Sequence, residues 1–586
     1  MAWVEWNRPG RPHVTSRSPE RFTLIYEVGP EGIARGGSIR FQVPPFVGGW
    51  SAPQVEHPEA RGYTMATPSP ADIRLATQIV PPKAMQFVVQ GRPLVAGDRL
   101  KIVYGAGSGL ALAGRYAEKE ARFWFAVDGD GDGELSYLVD SPSVEVHPGR
   151  PSALRVTLPT TARPGETVPV RVAVLDRYRN AFLPVTGEVI FDDVPAGLEM
   201  PRRAVLRKSD DGWLDIAARV RSPGIYRVRA TAGSLEARSN PLVVSEDGPR
   251  VLWGDLHGHS GMSDGTGTAT DYFRFARDIS GLDIVALTDH DHQGNVRIDM
   301  HPELWREIAE TTRRFHRPGE FVTLLGYEWT NWIHGHRHVL YFDDVGEMWS
   351  SADPATESPR DLWKALEGRN ALTFAHHSAG SIIPTNWQIP PDPILEPVTE
   401  IVSIHGSSES ADTVTPIKRP VEGNFVRDAL DMGYRLGFIG SGDTHDGHPG
   451  LTDIGYRSGG LAAILSEDKT RTGVLEALQA RRVYATNGRR ILLEATLGGH
   501  PIGSIIDTEG AAGVGRELVV RAVGSARIER IDVVRSGEVV ERIPATNGID
   551  FAFTRRIEDL RRGEYLYVRV IQEDGGAAWS SPFFVD

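Results

Sequence analysis

Seven short apolar runs between Val251 and His445 each abut a residue able to bind a metal or carry a proton, and this pattern constrains the chain most. Val251-Leu-Trp leads to Asp255, His257 and His259. Ile284-Val-Ala-Leu leads to Asp289 and His290, and Phe321-Val-Thr-Leu-Leu to Glu328. His338 precedes Val339-Leu-Tyr-Phe, Leu372-Thr-Phe precedes His376, Ile401-Val-Ser-Ile precedes His405, and Gly437-Phe-Ile precedes Asp443 and His445. Fourteen of the eighteen histidines lie between residues 251 and 450, so the clustering is not spread by chance over the chain. Barrels of parallel strands gather functional groups at the carboxyl ends of their strands. Residues two apart on an extended strand point the same way, so His257 and His259 can share one ion, and Asp443 and His445 likewise. A lone histidine after a strand is more often structural than ligating. Two such pairs with a glutamate and three further histidines reverse that balance, and the nitrogen and oxygen donors suit Zn, Mn or Fe.

A chain of 586 residues exceeds the roughly 250–300 that one core supports, so several domains are expected. Residues 1–147 read as a β-rich domain, with Leu100, Ile102 and Tyr104 alternating, and Phe123, Phe125 and Val127 likewise. Residues 148–246 suggest an immunoglobulin-like β-sandwich: Val168, Val170, Val172 and Val174 face one way, and Tyr226, Val228 and Ala230 repeat the period. Ser245–Arg250 reads as a linker. Over 250–490 the apolar runs alternate with helical stretches, which predicts a parallel sheet or barrel. One predicted helix runs from Thr270 to Ser280, stopped by Gly281; another starts at Ser358-Pro359 and ends near Gly368. Residues 491–586 return to a period of two, as in Leu566, Val568 and Val570, and predict a C-terminal β-sandwich-like domain. The fold class is therefore multidomain, α/β plus β.

A net charge of −13 without a Lys/Arg cluster argues against nucleic-acid binding. The absence of cysteine removes thiolate ligands, a cysteine nucleophile and disulfides. No run approaches the ~20 apolar residues of a membrane span, and the first residues lack the apolar core of a leader, so the expectation is a soluble, cytoplasmic protein. A homo-oligomer is compatible with the sequence. The loop Asp128-Gly-Asp130-Gly-Asp132-Gly133-Glu134 resembles the start of a calcium loop, but Val139 stands where a bidentate glutamate belongs, so a solvated turn is the preferred reading.

The residues Asp255-Leu-His257-Gly-His259 with Asp264-Gly265, Thr288-Asp289-His290-Asp291, Glu328 followed by His338, Ala375-His376, and Gly440-Ser-Gly-Asp443-Thr-His445 resemble the PHP superfamily, named for its polymerase-associated and histidinol-phosphatase members. The resemblance covers about 250–490. It implies a distorted seven-stranded β/α barrel holding two or three divalent metal ions. His257, His259 and Asp443 would hold one ion; Asp264 and His290 a second, with Glu328 bridging; His338, His376 and His445 a third. Arg482-Val-Tyr484-Ala-Thr-Asn487-Gly488 and Trp579-Ser-Ser-Pro582 are similar to an uncharacterised bacterial branch with flanking β-domains. Two departures stand out. His377 follows His376 where the family has proline or asparagine, leaving open which of the two ligates, with His376 favoured. Asp264 stands where some members have histidine, a harder site that favours Mn or Fe.

Clustered divalent ions lower the pKa of a bound water toward about 7 and neutralise charge on the attacked centre. The expected activity is therefore phosphoester hydrolysis of a small molecule by metal-activated hydroxide. Asp289, Asp291, His292 and His405 are candidate catalytic proton carriers, and equally candidate partners that orient ligands. Arg297 and Arg337 could clamp a phosphate, and His377 and His448 could bind substrate, with His448 also a possible proton carrier. Trp329, Trp332 and Trp387 could wall the pocket. Two alternatives stay open: hydrolysis of a carboxylic ester, amide or lactone at the same site, and a non-catalytic carbohydrate- or surface-binding protein.

Overall fold

The computed structural model describes residues 1–586 apart from 7, 45–47, 382, 453, 455–457, 508–515 and 546–547. The architecture is mostly β, in several sheets, with five short α-helices among the described residues. Among the described residues no helix is long and apolar enough to cross a membrane.

The first 147 residues build an aromatic core between two main sheets. Leu100, Ile102 and Tyr104 point into it while Arg99 and Lys101 point out, the period-two pattern read in the sequence. Residues 151–244 form three sheets around one shared core, two of four antiparallel strands and one of three that includes a parallel pair; Val170 and Val172 of one sheet meet Val189, Phe191 and Ala230 of another. In the acidic loop the Asp128 carboxylate accepts the amides of Gly131 and Gly133, and Asp130 and Asp132 accept amides two residues on, so the carboxylates tie a turn.

Strands are numbered here from residue 251. β1 (Val251–Asp255), β2 (Ile284–Leu287) and β3 (Val322–Trp329) are parallel neighbours. They are buried along their whole length, which suits continuous apolar runs. β4 (Arg337–Tyr341) and β5 (Ala371–Ala375) then add antiparallel. The sequence predicts a parallel sheet or barrel, and β4 and β5 depart from it. Only seven residues separate β3 from β4, too few for a crossover, which takes about a dozen. β6 (Val398–Ser403) and β7 (Gly437–Gly440) form a separate parallel pair. On one side Thr399 Oγ1 donates to Ala375 O of β5. On the other, β7 packs against the last central strands, β8 (Leu461–Leu465) and β9 (Val483–Thr486).

The helices follow their local signals. Thr268 caps α1 (Ala269–Phe275) by accepting the Asp271 amide, and the helix continues as a π turn to Gly281, which adopts φ +61°. Ser358 caps α2 (Pro359–Leu366), with proline at its first position.

β9 does not end the sheet. It pairs with Ala577–Ser580, through Tyr484↔Ser580 and Thr486↔Ala578, and that strand continues into Tyr565–Gln572, Ile528–Arg535 and Glu538–Pro544. A boundary at 490/491 therefore cuts through a continuous sheet. The strands Leu492–Leu497, Arg516–Val523 and Asp550–Ile557 form a second sheet over it.

Candidate metal centre

Three backbone pairings bring the histidines and carboxylates together. Gly258 bridges Thr444 in parallel, with the His259 amide donating to Thr444 O, so His257 and His259 run beside Asp443 and His445. His290 bridges Glu328 in the same way. Across the β3–β4 hairpin Glu328 stands directly opposite His338, and directly opposed side chains share a face. Gly258 is required: a Cβ there would lie 2.2 Å from the Tyr272 hydroxyl. Asp443 sits at φ +50°, a left-handed conformation that Asp tolerates better than most residues.

The best-formed group joins His257, His259, Glu328 and Asp443, all buried. His257 Nε2 lies 3.2 Å from His259 Nε2, 3.2 Å from Asp443 Oδ1 and 3.5 Å from Glu328 Oε2. His259 Nε2 lies 3.5 Å from the same Asp443 oxygen and 3.3 Å from the same Glu328 oxygen. Ligands about 2.0–2.1 Å from a tetrahedral ion are separated by about 3.3–3.4 Å. Five edges near that length leave a centre sized for one transition-metal ion.

A second group gathers around Asp264 Oδ1, with His445 Nε2 at 3.2 Å, His290 Nε2 at 3.6 Å and His259 Nδ1 at 4.0 Å. A third lies across Glu328: its Oε1 is 2.5 Å from His336 Nδ1 and 3.0 Å from His376 Nε2, and the His338 ring lies tilted with its centroid 3.9 Å from that of His257. Glu328 thus turns one oxygen to each side. The grouping differs from the one the resemblance implied. His445, placed there with His338 and His376, stands with Asp264 and His290, because it follows Asp443 along the His257–His259 side while β4 and β5 lie beyond Glu328.

Charge and orphaned atoms fit a cation. Burial alone would raise the Glu328 and Asp443 carboxyls, yet the imidazoles around them hold both well below the usual carboxylate range. Burial pushes His338 well below the usual imidazole range and His376 down to about 3, so both are neutral, the form that ligates. Glu328 Oε2, Asp264 Oδ1 and both His338 nitrogens are buried without a hydrogen-bond partner, an expensive state that coordination relieves.

Two residues missed in the sequence belong here. His336 lies two before His338, so His336-Arg-His338 is a third pair of the same-face kind, and that spacing could have found it. Glu400, a carboxylate inside the apolar β6 run, accepts from His257 Nδ1 at 3.0 Å and fixes its ring with Nε2 toward the centre. Glu400→Gln is expected to weaken metal binding about 10–100-fold, measured by titration against a competing chelator.

Several expected residues do other work. Arg337 does not reach the cleft: alternation along β4 turns it away from His336 and His338, and its buried guanidinium donates to Glu396 at 2.9 Å and to His334 O. Arg297 pairs with Asp299 at the surface. Asp289 accepts from Ser260 and Ser263, bracing the turn that carries Asp264. Asp291 accepts the amides of Ser351 and Thr330 and pairs with His292. His448 is buried against Phe275 and Tyr116. Trp329 and Trp387 are core residues donating to Thr356 O and Asn424 O. By contrast His377, His405 and Trp332 do line the cleft.

That cleft, about 690 Å³, opens over the second and third groups. Its wall carries Ile383, Ile404 and Ile417, and three cations, Arg115, Lys418 and Arg419. Arg115 comes from the N-terminal β-region, so the site is completed from outside the central segment. His405 stands half-exposed at the mouth with Nε2 2.8 Å from Asp443 Oδ2.

The model for the family described as "Protein of unknown function (DUF3604)" matches residues 281–386 and 450–501. An uncharacterised protein of Chlamydia pneumoniae is 25% identical over 92% of each chain. One of Chlamydia trachomatis is 27% identical over 62% of each. Among solved structures, a two-domain protein from Bacteroides vulgatus described as containing a predicted PHP-like metal-dependent phosphoesterase is similar over 57% of this chain and 96% of its own, at 16% identity and a TM-score of 0.32.

Proposed function

We propose that the chain is a metal-dependent phosphoesterase whose central strands form a distorted barrel of the PHP type, with Arg115 of the N-terminal β-region completing its cleft. The observation that carries this reading is the set of near-equal 3.2–3.5 Å separations among His257, His259, Glu328 and Asp443. Those four residues would hold one ion; Asp264, His290 and His445 a second; and His336 or His338 with His376 and Glu328 a third. When bound, such ions lower the pKa of water and neutralise charge growing on an attacked phosphorus. The number and identity of the ions are part of the proposal, with Zn, Mn and Fe as the candidates.

The chain's own residues supply binding and proton control. Arg115 and Arg419, neither of them ion-paired among the described residues, would bind phosphoryl oxygens through charge-assisted hydrogen bonds. His405, beside Asp443 at the mouth, would give a proton to the leaving oxygen. The apolar wall would take an uncharged part of the substrate. These cations favour a phosphate ester over a neutral ester or amide at the same centre.

Phosphate release from a panel of phosphomonoesters and diesters, after loading with Mn, Zn or Fe, tests the reading. Metal-dependent release inhibited by inorganic phosphate is expected; release from amides or lactones alone would replace it with the alternative. Arg115→Met is expected to raise KM about 10–100-fold, the scale of a hydrogen bond to a charged group, with bound metal unchanged by elemental analysis.

A further inference from the structure

A second cavity, about 450 Å³, lies in the seam where the sandwich of residues 151–244 meets the central strands and the C-terminal region. It does not share the metal-centre cleft. Six guanidinium groups line it, those of Arg155, Arg179, Arg227, Arg238, Arg489 and Arg490, against the carboxylates of Asp255 and Asp574.

Those carboxylates are already engaged. Asp255 accepts the amides of Gly442 and Gly450, and Asp574 accepts from Gln572 and the Gly576 amide while lying 3.5 Å from Arg489. Arg490 spends its amino groups on Leu158 O, Ser280 O and Gly281 O, and Arg227 donates to Ser239 O and Ser525 O. Carbonyls satisfy those hydrogens without cancelling the charge. Among the described residues no carboxylate lies within ion-pair distance of Arg155, Arg227 or Arg490.

Arg155 is the sharpest case. On its strand Leu154 and Val156 face the sandwich core, so Arg155 faces the seam. Its Nε is buried without a hydrogen-bond partner. Burial, then the neighbouring charges of Arg490, Arg179 and Arg489, press its pKa down to about 9. A guanidinium does not give up its proton at such a site, so the cost is carried as uncompensated charge. Charge of one sign crowded into a partly buried seam favours a partner of the other.

We propose that this seam is a binding site for a phosphate group, free or carried on a small organic molecule, with Arg155 as its deep anchor. Arg490 stands beside it, and Arg238 and Arg489, both exposed, form the entrance. The volume exceeds what one phosphate fills, which leaves room for an organic remainder. The proposal is independent of the phosphoesterase reading, since none of these arginines touches the metal-centre cleft.

The test uses the full chain. Melting temperature is followed against sodium phosphate and against an alkylphosphonate, whose P–C bond resists hydrolysis, each compared with sodium chloride at equal ionic strength. Wild type is expected to gain a saturable rise beyond the chloride effect. Arg155→Met is expected to weaken the apparent affinity at least about tenfold and to melt no lower than wild type without phosphate, because it removes a part-buried charge that no carboxylate balances. Arg297→Met, at a surface arginine outside both cavities that pairs with Asp299, is expected to keep the full response. A stronger response to the phosphonate assigns a phosphorylated organic ligand; a response to inorganic phosphate alone assigns the free ion. Crystals soaked in tungstate give a readout free of any folding defect, with anomalous density expected beside the Arg155 guanidinium. No rise beyond chloride, an undiminished response in Arg155→Met, or tungstate confined to the metal centre would each overturn the proposal.

Discussion

Glu328→Gln is expected to remove metal-dependent hydrolysis and to lower the bound metal, with a loss larger than the ~10–100-fold typical of a residue that only orients a ligand. The reason is position. One Glu328 oxygen faces His257 and His259, at 3.5 and 3.3 Å, and the other faces His336 and His376, at 2.5 and 3.0 Å. A neutral amide keeps the shape but withdraws the negative charge that two groups share and replaces one acceptor oxygen with a donor. Elemental analysis and phosphate release measured on the same preparation check both halves. Full metal content with unchanged activity would falsify the assignment of Glu328 as the shared ligand. Because Glu328 is buried, the variant must also be shown folded by circular dichroism before its activity is read.

Glu409→Ala is expected to cost about 3–5 kcal/mol of stability, the usual penalty for stranding one partner of a buried ion pair. Glu409 is fully buried, and its carboxylate accepts from Arg569 at 3.1 and 3.2 Å, Trp579 Nε1 at 2.7 Å, Tyr567 at 2.5 Å and Thr413 at 2.6 Å. Arg569 is held on its other side by Asp532 at 3.0 Å. The network ties the loop after β6 to the C-terminal strands, so its loss leaves a guanidinium buried with half its partners. A shift of the urea midpoint checks the size; a change below about 1 kcal/mol, typical of exposed pairs, would show that the network carries no such load. A double substitution, Glu409→Leu with Arg569→Met, is expected to recover most of the loss, since well-packed apolar residues can replace a buried pair.

The candidate centre was more legible in the sequence than the fold around it. His257-Gly-His259 and Asp443-Thr-His445 declare themselves because period-two geometry puts both members of each pair on one face, whatever the sheet does elsewhere. Which pair meets which other residue is a tertiary fact, and there the reading placed His445 with the wrong partners. His336 was overlooked although it obeys the same spacing rule, and that rule also explains why Arg337 between the two histidines turns away. The antiparallel placement of β4 was recoverable from the seven-residue connection alone. Arg115 was not recoverable: it reaches the cleft through packing of one region on another, and no local pattern reports such a contact. The same holds for Arg155, whose alternation shows only that it leaves the sandwich core. For the C-terminal strands, period two identified strands correctly without saying which sheet they join.

The pairing of β9 with Ala577–Ser580 also sets a condition on synthesis. A nascent chain stalled at residue 490 has made every residue assigned to the metal ions, yet one border of their sheet is still an open row of unpaired amides and carbonyls. Only when Ala577–Ser580 has left the ribosome can that border be covered. Until then the half-made protein presents a sticky edge to its neighbours, and a truncation before Ala577 would make that transient hazard permanent.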